Sequence, residues 1–390
     1  MKITFFSNYL NHHQLPFCLA MDELSGGQFV FVATKKISDW RIELGYRDMD
    51  SEYPFVIREY ESTNVEKVEE LVLQSDVVIF GECPSKYIKL RMEKNKLSFR
   101  IHERVYKSGM WKALSPRGIY YMLRNHTAYR NKKLYMLCAS AYTAYDFSLM
   151  GAYKNKCFKW GYFPEVKTID VNKLIEKRQL HESVKILWVG RLIDFKKPQH
   201  AIEIAERLRE NGYNFELSII GSGNLEKDLR KEIESNQLTQ NVKLLGSMEP
   251  EKVRTYMEDA DIFLFTSNFQ EGWGAVLNEA MNSACAVVAS HAIGSVPFLI
   301  KDSVNGFIYK NGDIDDLYLK VAKLIENPYI RVSFGKEAYY TLVESWNAKT
   351  AAERLIFVSR LLLQGGGYTL YKDGPCSIAP LISNGWHKSL

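Results

Sequence analysis

No run of apolar residues in this chain approaches the roughly 18 needed to cross a bilayer, and Met1 leads straight into the strand candidate Lys2 to Phe6. Neither a spanning helix nor a signal peptide is expected, and the cytoplasm is the expected location. Paired cysteine spacing is absent. Cys18, Cys83, Cys138, Cys157, Cys285 and Cys376 are scattered, which argues against a zinc site and reads most of them as small core residues in a reducing compartment. Acidic metal motifs fare little better. The triplets Asp48-Met49-Asp50 and Asp313-Ile314-Asp315 do not follow a strong apolar strand with a second carboxylate or His in view, so both read as surface turns. No metal or other cofactor is expected.

Acid is nearly missing from one stretch. Between Cys83 and Lys133 fourteen Lys and Arg face only Glu93 and Glu103, a local charge of +12, so the rest of the chain carries −7 of a net +5. From Lys86 to Lys133 these cations are interleaved with Tyr87, Tyr106, Trp111, Tyr120, Tyr121 and Tyr129. Such side chains suit the surface of an anionic membrane; the plainer alternative is a solvated basic face that binds only a phosphate. No nucleic-acid partner is expected.

What is present is a long chain, 390 residues with 46% hydrophobic side chains, enough for two domains or more. Strand candidates in the first part are Lys2–Phe6, Phe29–Ala33, Phe55–Ile57, Val77–Phe80, Phe99–His102 and Leu134–Ala139, with a last one in CFKWGYF before Pro164. In the second they are Val184–Val189, Phe215–Ile220, Val242–Leu245, Ile262–Phe265, Ala286–Ser290 and Phe307–Tyr309. Helix-forming segments such as Val65–Leu73, Gln199–Asn211 and Leu225–Asn236 alternate with them, the pattern of doubly wound, mostly parallel sheets. The polar run 166–183 has no clear strand and is the expected linker between a domain at 1–165 and one at 184–346. Ala348–Leu363 reads as an amphipathic helix, and the glycine-punctuated tail after it has no functional reading.

One stretch concentrates chemistry. EGWGAVLNE, Glu271–Glu279, lies between the strand Ile262–Phe265 and the helix-forming run Ala275–Ala284. Gly272 and Gly274 let backbone approach a ligand, the helix start offers N–H groups to an anion, and Glu271 and Glu279 can accept from hydroxyl groups. Phosphate plus hydroxyls points to a nucleotide sugar. Arg191 and Lys196, just past Val184–Val189, supply positive charge; Arg191 can bridge phosphate oxygens, Lys196 acts as a point charge, and Lys197 replaces it if the loop is offset by one residue.

Taken in order, VGRLIDFKKP (189–198), EGWGAVLNE, VVASHAIGSVPFLI (287–300) and NGFIY (305–309) resemble the donor-binding domain of glycosyltransferase family 4, the retaining GT-B enzymes. The likeness is dense from Val184 to Trp346. It implies two Rossmann-like domains facing a central cleft, with 347–390 crossing back to complete the first. It implies a nucleotide-diphosphate sugar as donor, its hydroxyls bound by Glu271, its ribose by Glu279 and its phosphates by Arg191 and Lys196. Gly190, Gly221, Gly223, Gly272, Trp273, Gly274 and Ala275 fall beside that donor by the same comparison. Gly294 and Ser295 stand where the family often has a glycine pair, and Phe298 where it often has Glu. In the first domain Asn8, Asn11, His12 and His13 replace a common glycine pair; Asn11 and His13 become candidate acceptor contacts, and His102, at a strand end, falls where relatives have a histidine near the reacting carbon. The implied mechanism is retention without a covalent enzyme intermediate, the leaving phosphate taking the acceptor's proton. A lipid-linked oligosaccharide of a bacterial surface polysaccharide is the leading acceptor, a soluble sugar the alternative. A GT-B nucleotide-sugar epimerase and a non-catalytic sugar-binding subunit are the competing functions; retention of both cations and both glutamates favours the transferase.

Overall fold

The computed structural model describes residues 1–390 apart from 39–41, 43–46, 368–370 and 390. The chain forms two compact units, Met1–Glu165 with Trp346–Ser383, and Val166–Ser345 with the segment from Asn384 on.

The first unit is built on β1 (Ile3–Ser7), β2 (Phe29–Ala33), β3 (Val56–Arg58), β4 (Val77–Phe80), β5 (Ser98–His102), β6 (Leu134–Cys138) and β7 (Cys157–Lys159). They form one sheet in the order β3-β2-β1-β4-β5-β6-β7. Every pairing among them is parallel. The two central strands are buried along their length, which is why they read as unbroken apolar runs: a parallel sheet is covered by helices on both faces. The order reverses between β1 and β4, and at such a switch point the loops at the carboxyl ends part to leave a crevice. Helix Ala348–Leu363 starts at Asn347, whose side chain caps Thr350 N–H, and packs on helix Leu15–Ser25. After it, Cys376 and Ala379 donate backbone hydrogen bonds to Lys159 and Cys157. The tail thereby covers β7, an edge that would otherwise expose unpaired backbone groups.

The second unit contains β8 (Val184–Val189), β9 (Phe215–Ile220), β10 (Val242–Leu244), β11 (Ile262–Phe265), β12 (Ala286–Ser290) and β13 (Gly306–Tyr309). They pair in parallel in the order β10-β9-β8-β11-β12-β13. The switch point lies between β8 and β11. Ile186, Trp188, Ile204, Leu217, Leu264 and Val288 belong to the core beneath it.

Three expectations differ from the structure. Residues 166–183 are not a bare linker: they hold helix Val171–Arg178, and Arg178 donates to the carbonyls of Met257, Glu258, Ser283 and Ala284, which anchors the segment in the second unit. Not all of 347–390 completes the first unit, because from Asn384 on the chain packs on the second, where Trp386 Nε1 donates to His291 O at 3.3 Å. Nor is the triplet at Asp48 a surface turn. Asp50 is 3% exposed and accepts from Leu10 N–H at 2.8 Å and Tyr60 OH at 3.3 Å, and burial pushes its carboxyl up to about 6. The other triplet is superficial: Asp313 caps helix Ile314–Glu326 and exposed Asp315 pairs with Arg207.

Candidate functional site

In the second unit the predicted residues gather on the loops that follow β8, β9, β11 and β12. The β8 loop carries Arg191, exposed and without an ion pair among the described residues, and a single turn at Asp194–Lys196. Its conformation is imposed from the β11 side. Thr266, at the end of β11, donates from Oγ1 to the carbonyls of Lys196 (2.7 Å) and Lys197 (2.9 Å) and receives Trp188 Nε1–H at 2.8 Å. Asn268 N–H bonds Phe195 O at 2.9 Å. These ties bring Lys196 to Glu271: Nζ pairs with Oε2, which also accepts from Ser267 Oγ at 2.9 Å. Lys196 lies over the rings of Phe195 and Phe265, so the pair has little water around it. Lys197 sits at φ +53° and pairs instead with Asp194 at 2.8 Å, which leaves Lys196 as the cation at Glu271.

The glycines are held to their identity by packing. At Gly274, φ is +83° and a Cβ would lie 2.4 Å from the Phe265 ring. At Gly223 a Cβ would lie 2.3 Å from Leu192 O, and at Gly221, with φ +139°, 1.8 Å from Gly190 O. The glycines after β9 therefore let two loops press together, which accounts for them without a ligand. Ala275 precedes helix Val276–Asn282, and the N–H groups of Gly274, Ala275 and Val276 reach no acceptor among the described residues; unsatisfied donors at a helix start favour an anion. Gly272 is buried beside them.

Two of the residues read from the sequence as donor contacts have partners within the protein. Trp273 is buried, its Nε1 donating to Asn278 Oδ1 at 2.9 Å and its ring near Phe298, so its side chain belongs to the core. Gly294 is buried and gives its N–H to Glu271 O at 3.3 Å: it positions the Glu271 loop rather than offering a donor to a ligand. The carboxylate of Glu279, on the first turn of its helix, has no hydrogen-bond partner among the described residues; burial pushes it up to about 7, opposed by the charge of Arg254.

The first unit has its own cavity of about 620 Å³ at the carboxyl ends of β1, β4 and β5, lined by Asn11, His13, His102, Glu103, Lys107 and Tyr121 among others. The three sequence candidates thus line one cavity. Asn11 Oδ1 accepts from His13 N–H at 3.0 Å, so part of its role is shaping the turn before helix Leu15–Ser25. His102 Nδ1 lies 2.5 Å from Glu103 O. A carbonyl only accepts, so Nδ1 carries the proton and Nε2 is the accepting nitrogen. Burial holds this ring below the ordinary histidine range, which keeps it neutral. Glu103 also accepts from Tyr162 OH at 2.6 Å and pairs with Lys107, and Arg104 and Asp146, both wholly buried, form an ion pair beneath the same loop, with Asp146 accepting from the N–H groups of Val105 and Tyr106.

Thr266, Trp188, Ser267, Glu103 and Asp146 were not legible as site residues. Thr266 and Ser267 carried a weak signal, two hydroxyls directly after an apolar strand; the rest carried none.

This arrangement, two switch-point sheets with cations and carboxylates converging on the second, is the GT-B fold. The crystal structure of Anabaena Alr3699/HepE in complex with UDP has the same fold, with a TM-score of 0.68 over 92% of this chain and 99% of that one at 16% identity. Residues 170–341 match the family described as glycosyl transferases group 1. The chain is 34% identical over 179 residues to the amylovoran biosynthesis glycosyltransferase AmsK of Erwinia amylovora, covering 45% of this chain and 42% of that relative. It is 29% identical over 167 residues to the poly(ribitol-phosphate) alpha-N-acetylglucosaminyltransferase of Staphylococcus aureus, covering 43% and 33%. The chain thus spans less than half the length of either curated relative.

Proposed function

We propose that this protein is a glycosyltransferase that moves a sugar from a nucleotide-diphosphate donor, a UDP- or GDP-sugar, to a sugar acceptor in polysaccharide synthesis. The observation that carries the reading is the Lys196–Glu271 pair, which spans the switch point between β8 and β11 beside exposed Arg191. Arg191, Lys196 and the N–H groups at Gly274–Val276 offset the charge that grows on the diphosphate as the glycosidic bond breaks, with no divalent metal. Glu271 holds hydroxyls of the donor sugar and Glu279 those of the ribose. Transfer proceeds with retention: the acceptor hydroxyl attacks from the face the phosphate leaves and gives its proton to that phosphate. Neutral His102 accepts from a hydroxyl through Nε2, and Asn11 and His13 contact the acceptor, for which a lipid-linked oligosaccharide is the proposed class. The names of AmsK and of the Staphylococcus enzyme, both glycosyltransferases, support the activity, and the UDP bound to HepE supports the donor class.

A thermal-unfolding screen with UDP, GDP and their sugars tests this, since a ligand that binds only the folded state raises its stability. A rise in Tm with one nucleotide diphosphate and its sugars, followed by transfer from that donor, is expected. No shift with any of them would overturn the reading.

A further inference from the structure

From Val105 to Tyr145 the chain has seven Lys and Arg and no acid. The same segment concentrates exposed apolar side chains: Trp111 is 66% exposed, Leu114 81%, Tyr120 61% and Leu123 47%. They lie on the short turn Met110–Leu114 and on helix Pro116–Asn125, which starts at Ser115, whose Oγ accepts from Gly118 N–H, and buries only Met122. An ordinary surface helix turns its polar side to water; this one turns Tyr120, Tyr121 and Leu123 outward with Arg117 and Arg124. Lys112 lies 5.7 Å from the centre of the Trp111 ring, and Arg124 donates to Tyr120 OH at 2.9 Å. Lys112, Arg117 and Arg124 have no acidic partner among the described residues. The basic stretch read from the sequence is therefore narrower than Lys86–Lys133. Tyr87 and Tyr106 are buried, Tyr87 with its OH on Glu59, and Lys86 lies by Glu69.

We propose that Met110–Asn125 is a docking surface for an anionic bilayer. Trp111, Leu114 and Leu123 enter the boundary between headgroups and acyl chains, while Lys112, Arg117 and Arg124 pair with lipid phosphates. Charge alone would suit any polyanion. The apolar residues set among the cations select a partner that is charged outside and apolar within, which is a bilayer. Tyr121, on the same helix, and Lys107 both line the cavity that holds His102, so the docked face borders that cavity. A substrate carried on a lipid would arrive there without leaving the membrane. That purpose rests on the proposed lipid-linked acceptor; the binding itself requires no transfer, and either can fail without the other.

The test is cosedimentation of the full chain with vesicles of phosphatidylcholine alone and of phosphatidylcholine with phosphatidylglycerol, at low and high salt. Binding to the anionic vesicles only is expected, weakened by salt. Joint substitution Lys112→Gln, Arg117→Gln and Arg124→Gln should weaken it by at least about tenfold. Trp111→Ser with Leu114→Ser should weaken it by a similar factor with an unchanged Tm, since both side chains face water. Equal binding to neutral and anionic vesicles at low salt would overturn the proposal, as would wild-type binding by the charge variant. Heparin bound as tightly as vesicles, with no effect of the apolar substitutions, would identify the surface as a site for a soluble polyanion and also overturn it.

Discussion

Lys196 and Glu271, 75 residues apart in the chain, form an ion pair with side chains 14% and 12% exposed. The pair bridges loops from adjacent strands, β8 and β11, and Thr266 and Asn268 fasten the same loops through backbone carbonyls. Each charge in so sheltered a place depends on the other, because removing one leaves its partner short of compensation.

Lys196→Ala should therefore do two things. It should lower the stability of the second unit by roughly 1 to 3 kcal/mol, the range for a lost charge-assisted hydrogen bond, and weaken nucleotide-diphosphate binding. Glu271→Gln should keep nucleotide affinity nearly unchanged while turnover falls substantially, because its proposed contact with the sugar would matter most in the transition state. Urea unfolding, calorimetric titration with nucleotide diphosphate and a turnover assay separate these effects. Equal loss of nucleotide affinity in both variants would contradict the assigned roles.

Glu279 predicts a pH dependence. Burial raises its carboxyl from the ordinary 4.5 to about 7, so between those values the folded chain holds a proton that the unfolded chain has released. Its contribution to stability is present in full below the ordinary value and is lost as pH rises through about 7. Glu279→Gln should flatten that part of the stability profile. If the carboxylate accepts from ribose hydroxyls, nucleotide affinity should rise with pH through about 7, and Glu279→Gln should abolish the rise and weaken binding by roughly 1 to 3 kcal/mol. Titrations at pH 6 and pH 8 check both. A pH-independent affinity in the unmodified protein would remove Glu279 from the ribose.

Gly223→Ala should be severely destabilising although it adds one methyl group. The new Cβ would meet Leu192 O at 2.3 Å and Leu192 N at 2.9 Å, backbone atoms that cannot turn aside as a flexible side chain would. A loss of more than about 2 kcal/mol is expected in chemical denaturation. Gly212→Ala is the control: φ is +75° there but nothing stands within 4 Å, so only backbone strain of about 1 kcal/mol should appear. Equal costs at the two sites would show that the approach of the β8 and β9 loops is not what requires glycine.

Transfer should survive chelation. In the proposed site the positive charge at the diphosphate comes from Arg191, Lys196 and backbone N–H groups, so EDTA should leave turnover largely intact. Complete loss restored by Mn²⁺ or Mg²⁺ would reject this and return attention to the acidic triplets. Asp50 would remain a poor ligand there, since its carboxylate is already occupied by Leu10 N–H and Tyr60 OH.

The strands were legible from local sequence because parallel strands covered on both faces must be apolar throughout. Val77–Phe80 and Ile262–Phe265 have the same limits in the structure as in the sequence. The strand, loop and helix around Glu271 were legible for a similar reason: all three lie in one short stretch. Contacts between distant residues leave no such trace. Segment 166–183 reads as a polar linker until Arg178 is seen to bond carbonyls 79 to 106 residues away. Asp50 reads as an exposed turn until Leu10, 40 residues earlier, donates to it. Gly221 and Gly223 read equally well as a loop near the nucleotide or as a plain tight turn, and only the approach of the β8 loop shows that neighbouring backbone already requires them. Periodicity and composition record which side chains avoid water, whereas the partner of a buried charge or carbonyl is chosen by folding, which closes long loops at an entropy cost that grows only slowly with their length.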